Sequence, residues 1–516
     1  MKHFLILMAA AAWAVAADLP ASMCDVVAHG AKGDGVTVDT VAIQKAVDAC
    51  AARGGGTVWF PAGNFVSGTI TLKSNITLHL TPGATLTASR NIKDYSPLHL
   101  IYANGVDNIS VEGRGTIFGD GDYYWDKSAR ITSGYAATSG RAFAVAKQRP
   151  SPLLEFVNCR RVNIQDVFIR NAPGWTIHPL QCDGVKIHGI SIVNHPEGPN
   201  TDGIDPDSSC NVQIADSYIE AGDDCIVLKT TGKLGGKTLP TENVTVTNCI
   251  LATTCYGFKI GTESLGDFKN ISVSNCSMYQ PANTSWPLGC GLAVETVDGA
   301  TIDGVVISNI TMRNARAPIF IRLGNRGRGM KTPVPGVLRN VSISNVVASN
   351  CVGPFPSSIA GLPGHPVQGV SLQDINITMK GGEKEARGLD VTENPDGYPG
   401  VAMFGPLPAY GLYVRHVEGL TMRNVQIRWE EQDAQPSAVF DDVQDLELDG
   451  FRADTMSTRP ALWFNNVTGA LVERARAMLG VEATLRITGK QSKTIRLSVS
   501  DLTPDVAAGV PEPLLR

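Results

Sequence analysis

Apolar and polar residues alternate along most of the chain in a short, repeated pattern. Val or Ile, a polar residue, Val or Ile again, then two or more polar residues precede the next apolar one. The pattern appears at "NITLHL" (Ile76), "NISVEG" (Ile109), "RVNIQDVFI" (Val162), "GVKIHGISI" (Val185) and "NVQIADSYI" (Val212). It returns at "NVTVTNCIL" (Val244), "NISVSNCSM" (Ile271), "GVVISNITM" (Val305), "NVSISNVVA" (Val341), "GVSLQDINI" (Val370) and "GLTMRNVQI" (Leu420). A period of two predicts strands with one face turned inward. From Val162 to Val370 the copies stand 23, 27, 32, 27, 34, 36 and 29 residues apart. A loosely fixed period in this range predicts stacked coils, each closing the core of its neighbour. A propeller would need about 40 residues and four strands per repeat. Two or three short strands with turns fit a parallel β-helix instead. Asn before many of the strands suits a tight corner, because Asn tolerates left-handed backbone.

An open coil end needs a cap. "DTVAIQKAVDACAARGGG" has Asp39 as a helix N-cap, apolar residues at helical spacing, and Gly54 past the end. The pattern fades over 479–516, which reads as a C-terminal extension. Two long interruptions, 120–150 and 383–410, predict insertions that wall a groove or form ordinary surface loops. Several N-x-S/T triplets, among them Asn75, Asn108, Asn243, Asn270 and Asn340, coincide with coil corners and read as structural positions rather than glycan sites.

Composition adjusts this picture in a few places. At 516 residues two domains are the default, though long single β domains also occur. The repeat favours one β-helix domain over residues 18–478. Net charge is −5, which argues against nucleic acid as the partner of the whole chain. Met1-Lys2-His3, an apolar stretch from Phe4 to Ala16 and the small-x-small Ala14-Val15-Ala16 read as a signal peptide over residues 1–17. The stretch is too short for a membrane span, and the expected destination is secreted or periplasmic. Eleven cysteines in an exported chain permit disulfides, yet the number is odd and several lie in strand-like runs. Most of them read as small buried side chains. No Cys or Cys/His spacing points to zinc.

The candidate chemistry lies in "NTDGID" (200–205) and "AGDDC" (221–225). Asp202 precedes Asp223 by 21 residues and Asp224 by 22, close to one coil of this repeat. Three carboxylates would then stack at one corner. Crowded acids hold protons on some members and favour acid/base work. Calcium binding or solvated turn acids are the alternatives.

Asn200-Thr201-Asp202 followed by Gly222-Asp223-Asp224 resembles the polygalacturonases of glycoside hydrolase family 28. The opening "VVAHGAKGDGVTVDTVAIQKAVDAC" is similar to their N-terminal cap, and the resemblance runs from about residue 25 to about 450. It implies a right-handed, pectin-lyase-like β-helix and hydrolysis of pectic α-glycosides with inversion, without metal or other cofactor. Asp223 would be the general acid, and Asp202 and Asp224 would hold and deprotonate water. The expected partner is a pectic polysaccharide or oligosaccharide, and the expected state is a monomer.

The sequence departs from that family in two places. Cys255-Tyr256-Gly257 stands where Gly-His-Gly is usual, so Tyr256 replaces a histidine. Ala293-Val294-Glu295 stands where the family's Arg-Ile-Lys grips a galacturonate carboxylate beyond the cleavage point. A neutral sugar such as rhamnose would tolerate that loss better. Other cations are candidates for the carboxylate: Lys229, Lys259 and the cluster Arg313, Arg316, Arg322, Arg326, Arg328 and Lys331, with Arg322 the first choice. Asn200, His178 and Tyr256 join Lys229, Lys259 and Arg322 as expected substrate contacts. Trp175 could stack on a sugar or sit in the core. Tyr398 and Phe404, in the second insertion, could close one end of the cleft and favour attack from chain ends. Three readings compete with a galacturonan hydrolase: a rhamnogalacturonan hydrolase, a calcium-dependent lyase of the pectate-lyase type, and a non-catalytic β-helix adhesin.

Overall fold

A computed structural model describes residues 22–132, 141–478 and 481–515. The leader expected over 1–17 lies outside the described residues. The chain forms a right-handed parallel β-helix. The residues that mark the repeat in sequence stand directly over one another. Ile109 pairs with Val162, and the row continues through Val185, Val212, Val244, Ile271, Val305, Val341, Val370 and Leu420. All ten are buried. Each aliphatic side chain therefore packs on the equivalent one in the coils above and below, so the hydrophobic effect acts along the whole axis.

The corners are built from residues with positive φ, most of them Asn or Asp, including Asn75, Asn108, Asn243, Asn270 and Asn340. Their side-chain amides bridge neighbouring coils. Asn108 Nδ2 donates to Asn75 Oδ1 (2.9 Å), Asn243 to Asn211 (3.2 Å), Asn270 to Asn243 (2.8 Å) and Asn340 to Asp303 (2.7 Å).

The helix Thr40–Ala52 covers the first coil with Ile43, Ala46, Val47 and Cys50 turned inward. Asp39 stands at its N-cap, but its carboxylate does not cap the helix. It accepts instead from the backbone N–H groups of Lys32 (2.7 Å) and Gly33 (3.0 Å), and so holds the preceding loop. Cys24 and Cys50 form a disulfide between the first strand and this helix. Of the other nine cysteines, eight are buried.

The coil does not stop at residue 478. Strands Ala483–Thr488 and Lys493–Ser498 pair in parallel with Pro460–Asn465 and Thr468–Glu473, and Leu502–Val506 and Leu514–Leu515 extend the stack. This revises the expected C-terminal extension. Its strands are short, and its left-handed positions fall on Thr494 and Val499 rather than Asn, so the sequence signature is missing there.

Both insertions lie on the outer face of one sheet. That sheet contains strands Leu154–Val157, Ile177–Leu180, Ile226–Thr230, Tyr256–Ser264, Leu288–Thr296 and Ala315–Leu323. In the first insertion Trp125–Arg130 pairs antiparallel with Phe143–Val145. The second is anchored by Val391, Val401, Phe404 and Leu407, which pack with Tyr256, Ala293, Phe320 and Tyr413 on the strands beneath. Among the described residues no helix is long and apolar enough to cross a membrane.

Candidate active site

The three acids are brought together by glycine turns on adjacent coils. Gly203 N–H donates to Asp224 O (2.9 Å), and Ile204 N–H donates to Cys225 O (3.0 Å). A side chain at Gly203 would meet Cys225 O at 2.4 Å, and one at Gly222 would meet His195 O at 2.5 Å, so glycine sets this approach. Thr201 stitches the two turns. Its hydroxyl accepts from Gly222 N–H (3.0 Å) and donates to Gly198 O (3.1 Å). Asp202, Asp223 and Asp224 thus open onto one cleft of about 600 Å³, together with Asn200, Trp175, Lys229 and Lys259.

Each acid has a cation beside it. Lys229 Nζ lies 3.7 Å from Asp202, 3.2 Å from Asp205 and 3.5 Å from Glu263. Lys259 Nζ lies 3.2 Å from Asp224, and Arg141 lies 3.6 Å from Asp223. Burial, then the Asp224 carboxylate, push the Asp223 carboxyl up from its ordinary value against the pull of Arg141. Burial, then Asp205 and Asp223, hold Asp202 well above the usual range despite Lys229. Burial drives Asp205 up to about 6, with Lys229 and His178 restraining it. Burial alone would lower Lys229, but Asp205, Glu263 and Asp202 raise its ammonium well above the ordinary value. Excess negative charge here thus keeps protons on carboxyls and ammonium groups alike, and the acids titrate as a unit.

Several expected contacts stand elsewhere. Arg322 does not reach the cleft. It is buried, donates to the backbone carbonyls of Gly361 (2.9 Å), Glu393 (3.1 Å) and Asn394 (3.0 Å), and lies over the Phe404 ring. It therefore anchors the second insertion. Phe404 belongs to the same anchor, whereas Tyr398 does line the cleft. Tyr256 does not line the cleft either; it packs beneath that insertion, with the Lys259 ammonium 4.4 Å above its ring. His178 is buried one coil behind Asp205. It sits 2.7 Å from Glu155 and 3.6 Å from Asp207, edge-on to Trp175. Burial would lower its imidazole, yet Asp207 and Glu155 push it up to about 10. Trp175 lines the cleft with the Lys229 ammonium 4.5 Å from its ring. Ala293 and Glu295 are buried away from the cleft.

The cleft also holds residues outside the expected set. Arg130 and Arg141 arrive on the first insertion, and Glu263 lies near the end of the strand Tyr256–Ser264 that also carries Lys259. Arg328, one of the clustered basic residues, pairs with Glu263. Asp205 lies inside the "NTDGID" stretch, where its pairing with Lys229 was legible only as a nearby acid. Arg141 and Glu263 carried no motif.

Asp223, Asp224 and Cys255 place three donor atoms within 4.8 Å of one another. Lys259 and Arg141 already balance the two carboxylates, and burial holds the Cys255 thiol well above its ordinary value. That donor set suits proton transfer better than a cation.

Known proteins resemble this chain over most of its length. The family model "Glycosyl hydrolases family 28" matches residues 50–395. A "Probable polygalacturonase" of Vitis vinifera is 25% identical over 391 residues, covering 70% of this chain and 75% of that protein. An exopolygalacturonase of Arabidopsis thaliana is 28% identical over 381 residues, covering 70% and 81%. The crystal structure of an exopolygalacturonase from Thermotoga maritima shares the fold, with a TM-score of 0.61, 23% identity, and coverage of 79% of this chain and 92% of that one.

Proposed function

The chain belongs to glycosyl hydrolase family 28, whose members here degrade pectin, and from that premise we propose that it is an exported hydrolase of α-galacturonosyl linkages acting by inverting acid/base hydrolysis. One observation carries the reading. Asp223 is the most open of the three acids, its side chain 16% exposed against 4% for Asp202 and Asp224, and burial and Asp224 favour its protonated form. Asp223 is therefore the proton donor to the glycosidic oxygen. Asp224, held by Lys259, takes the proton of a water on the opposite face, and Asp202, whose protonated form burial and its acid neighbours favour, helps to position that water. The bond from the anomeric carbon to the leaving oxygen breaks as the water oxygen bonds to that carbon. The acid proton leaves on the departing sugar.

Lys229, Lys259, Arg141 and Arg328 give the cleft the positive groups that a polyuronate needs. Tyr398 and Arg328 line it from one flank, which supports attack from chain ends. A rhamnogalacturonan hydrolase is the second reading, favoured by the burial of Ala293 and Glu295 away from the cleft. The deciding experiment incubates the enzyme with polygalacturonate and rhamnogalacturonan side by side, with NMR of the first product. Galacturonate monomer released as the β-anomer, from polygalacturonate only, supports the first reading. Release from rhamnogalacturonan alone supports the second. An unsaturated product absorbing in the near ultraviolet would mean a lyase, and binding without turnover an adhesin.

A further inference from the structure

One corner of the coil carries a ladder of side-chain bridges. It starts at Asp216, on the coil of Asp223, and runs through Asn248, Asn275, Asn309 and Asn345. It ends at Asn424, whose Nδ2 donates to Asp374 Oδ1 at 2.6 Å. On the next coil the corner residue is Gly450, with φ +72°, and a Cβ there would meet nothing closer than Asn424 N at 3.7 Å. No side chain fills that step, and a groove of about 610 Å³ opens at it. This size falls within the range of ligand sites, about 300–1,000 Å³.

Arg423, Arg452, Arg474 and Arg476 line the groove. Two of them are engaged by acids: Arg423 Nη2 lies 2.9 Å from Glu447, and Arg474 Nε donates to Asp449 Oδ1 at 2.8 Å. The other two stand in register on neighbouring coils, Arg452 opposite Arg476. Their backbones are therefore about 4.8 Å apart. Among the described residues neither forms an ion pair; Arg452 Nη2 donates to the neutral Asn424 amide at 3.0 Å. Asp501 also lines the groove, without an ion pair to either. Like charges directly opposite one another work against the fold, so the pair lacks a stabilising role of its own. Two stacked guanidinium forks suit the two oxygens of a carboxylate. No aromatic ring lines the groove among the described residues, so charge and not stacking would hold a ligand there.

The groove shares no lining residue with the catalytic cleft. Between the coil of Asp216 and that of Gly450 the axis rises roughly 30–35 Å, at about 4.8 Å per coil. We propose that this groove is a second binding site for the acidic polysaccharide, in which Arg452 and Arg476 together hold uronate carboxylates while the same chain reaches the cleft. The inference rests on the reading of the substrate as a polyuronate. A trimer is too short to touch both sites, whereas a polymer gains from engaging the two at once.

The test uses the full chain carrying Arg452→Gln and Arg476→Gln. Its kcat/KM on polygalacturonate falls about 10-fold, and its kcat/KM on trigalacturonate stays within about twofold of wild type. Replacing both arginines by lysine recovers part of the loss, and high salt removes the difference from wild type. Affinity electrophoresis in polygalacturonate, with Asp223→Asn as the background, shows the same weakening without turnover. Unchanged kinetics and affinity on the polymer overturn the proposal, and so does an equal fall on polymer and trimer. Tighter binding of dextran sulfate or duplex DNA than of polygalacturonate through this pair means a different polyanion and also overturns it. If the double variant does not fold, Gly450→Asn decides the matter, because Asn accepts the left-handed corner and fills the step. A fall confined to the polymer supports the site, and wild-type kinetics on the polymer overturn it. Failure of the underlying reading looks different: the wild-type enzyme would then release nothing from polymer or trimer, while the affinity measurement would still report on the groove.

Discussion

Lys259 Nζ lies 3.2 Å from Asp224 Oδ2, and both side chains are buried on neighbouring coils of one sheet. Asp224 Oδ1 has no hydrogen-bond partner among the described residues. One oxygen is thus committed to a cation, and the other is buried without a partner in a residue that lines the cleft. Lys259→Met leaves Asp224 uncompensated beside Asp223. Its kcat should fall on the order of 100-fold, within the range for loss of one acid/base component. Steady-state kinetics on polygalacturonate check this, and a kcat within twofold of wild type would show that the pair is only structural.

Asp223→Asn should abolish nearly all turnover while sparing the fold. The wild-type carboxyl is raised in the folded state, so ionising it at neutral pH works against folding. The neutral amide removes that term, and the melting temperature at pH 7 should be equal to or above wild type. Calorimetry alongside an activity assay reads both. Wild-type-like turnover would remove Asp223 from the mechanism.

Arg322→Ala should destabilise the protein by about 2–4 kcal/mol, through lost packing against Phe404 and three backbone carbonyls left without their donor. Because Arg322 does not line the cleft, KM should change little at temperatures where the variant is folded. Chemical denaturation measures the first effect. A large rise in KM with unchanged stability would return Arg322 to the substrate.

His178 carries a pH dependence of known sign. Its folded-state pKa of about 10 lies above its ordinary 6.5, so its contribution is complete below pH 6.5 and is lost as pH climbs toward about 10. In His178→Gln this loss should vanish, giving a less stable protein at neutral pH with a flatter alkaline profile. Melting temperatures from pH 6 to 10 provide the check. Parallel curves for the two proteins would contradict the ion pairing with Glu155 and Asp207.

Glu295 also loses stability as pH rises, but through burial rather than pairing. Both of its oxygens are buried without a hydrogen-bond partner among the described residues. Burial raises its pKa to about 8 from an ordinary 4.5, with Lys259 only partly offsetting the shift. The folded state therefore favours the protonated acid, and stability falls as pH rises from about 4.5 to about 8. Glu295→Gln should match wild type at pH 4 and exceed it at pH 9. Equal stability at pH 9 would contradict the burial of an unpaired carboxylate.

The coil was legible because its core rests on a local rule. Val162, Val185 and Val212 announce themselves by alternation, and stacking then places each above the last. The acids were legible for a related reason: a spacing of one coil length turns distance in sequence into adjacency in space. Cations gave no such signal. Arg322 and Arg328 lie six residues apart in one basic stretch, yet one anchors an insertion and the other reaches Glu263 in the cleft. The difference arises from partners contributed by distant segments. Tyr256 was misplaced for the same reason, since the insertion that buries it begins more than a hundred residues later. Arg141 left no trace in the pattern because it enters from outside the coil altogether.

The bridged asparagines at the coil corners bear on how the protein can be produced. Several of them stand in triplets that a eukaryotic secretory pathway reads as acceptors for glycans, and transfer takes place on the extended chain before the coils close. A sugar on Asn108, Asn243, Asn270 or Asn340 would occupy the Nδ2 that donates to the coil below. One on Asn75 would occupy the Nδ2 that donates to Gly54 O at 3.3 Å. Yield from a yeast host should therefore rise when the serine or threonine of each triplet is replaced, whereas a bacterial host should show no such gain.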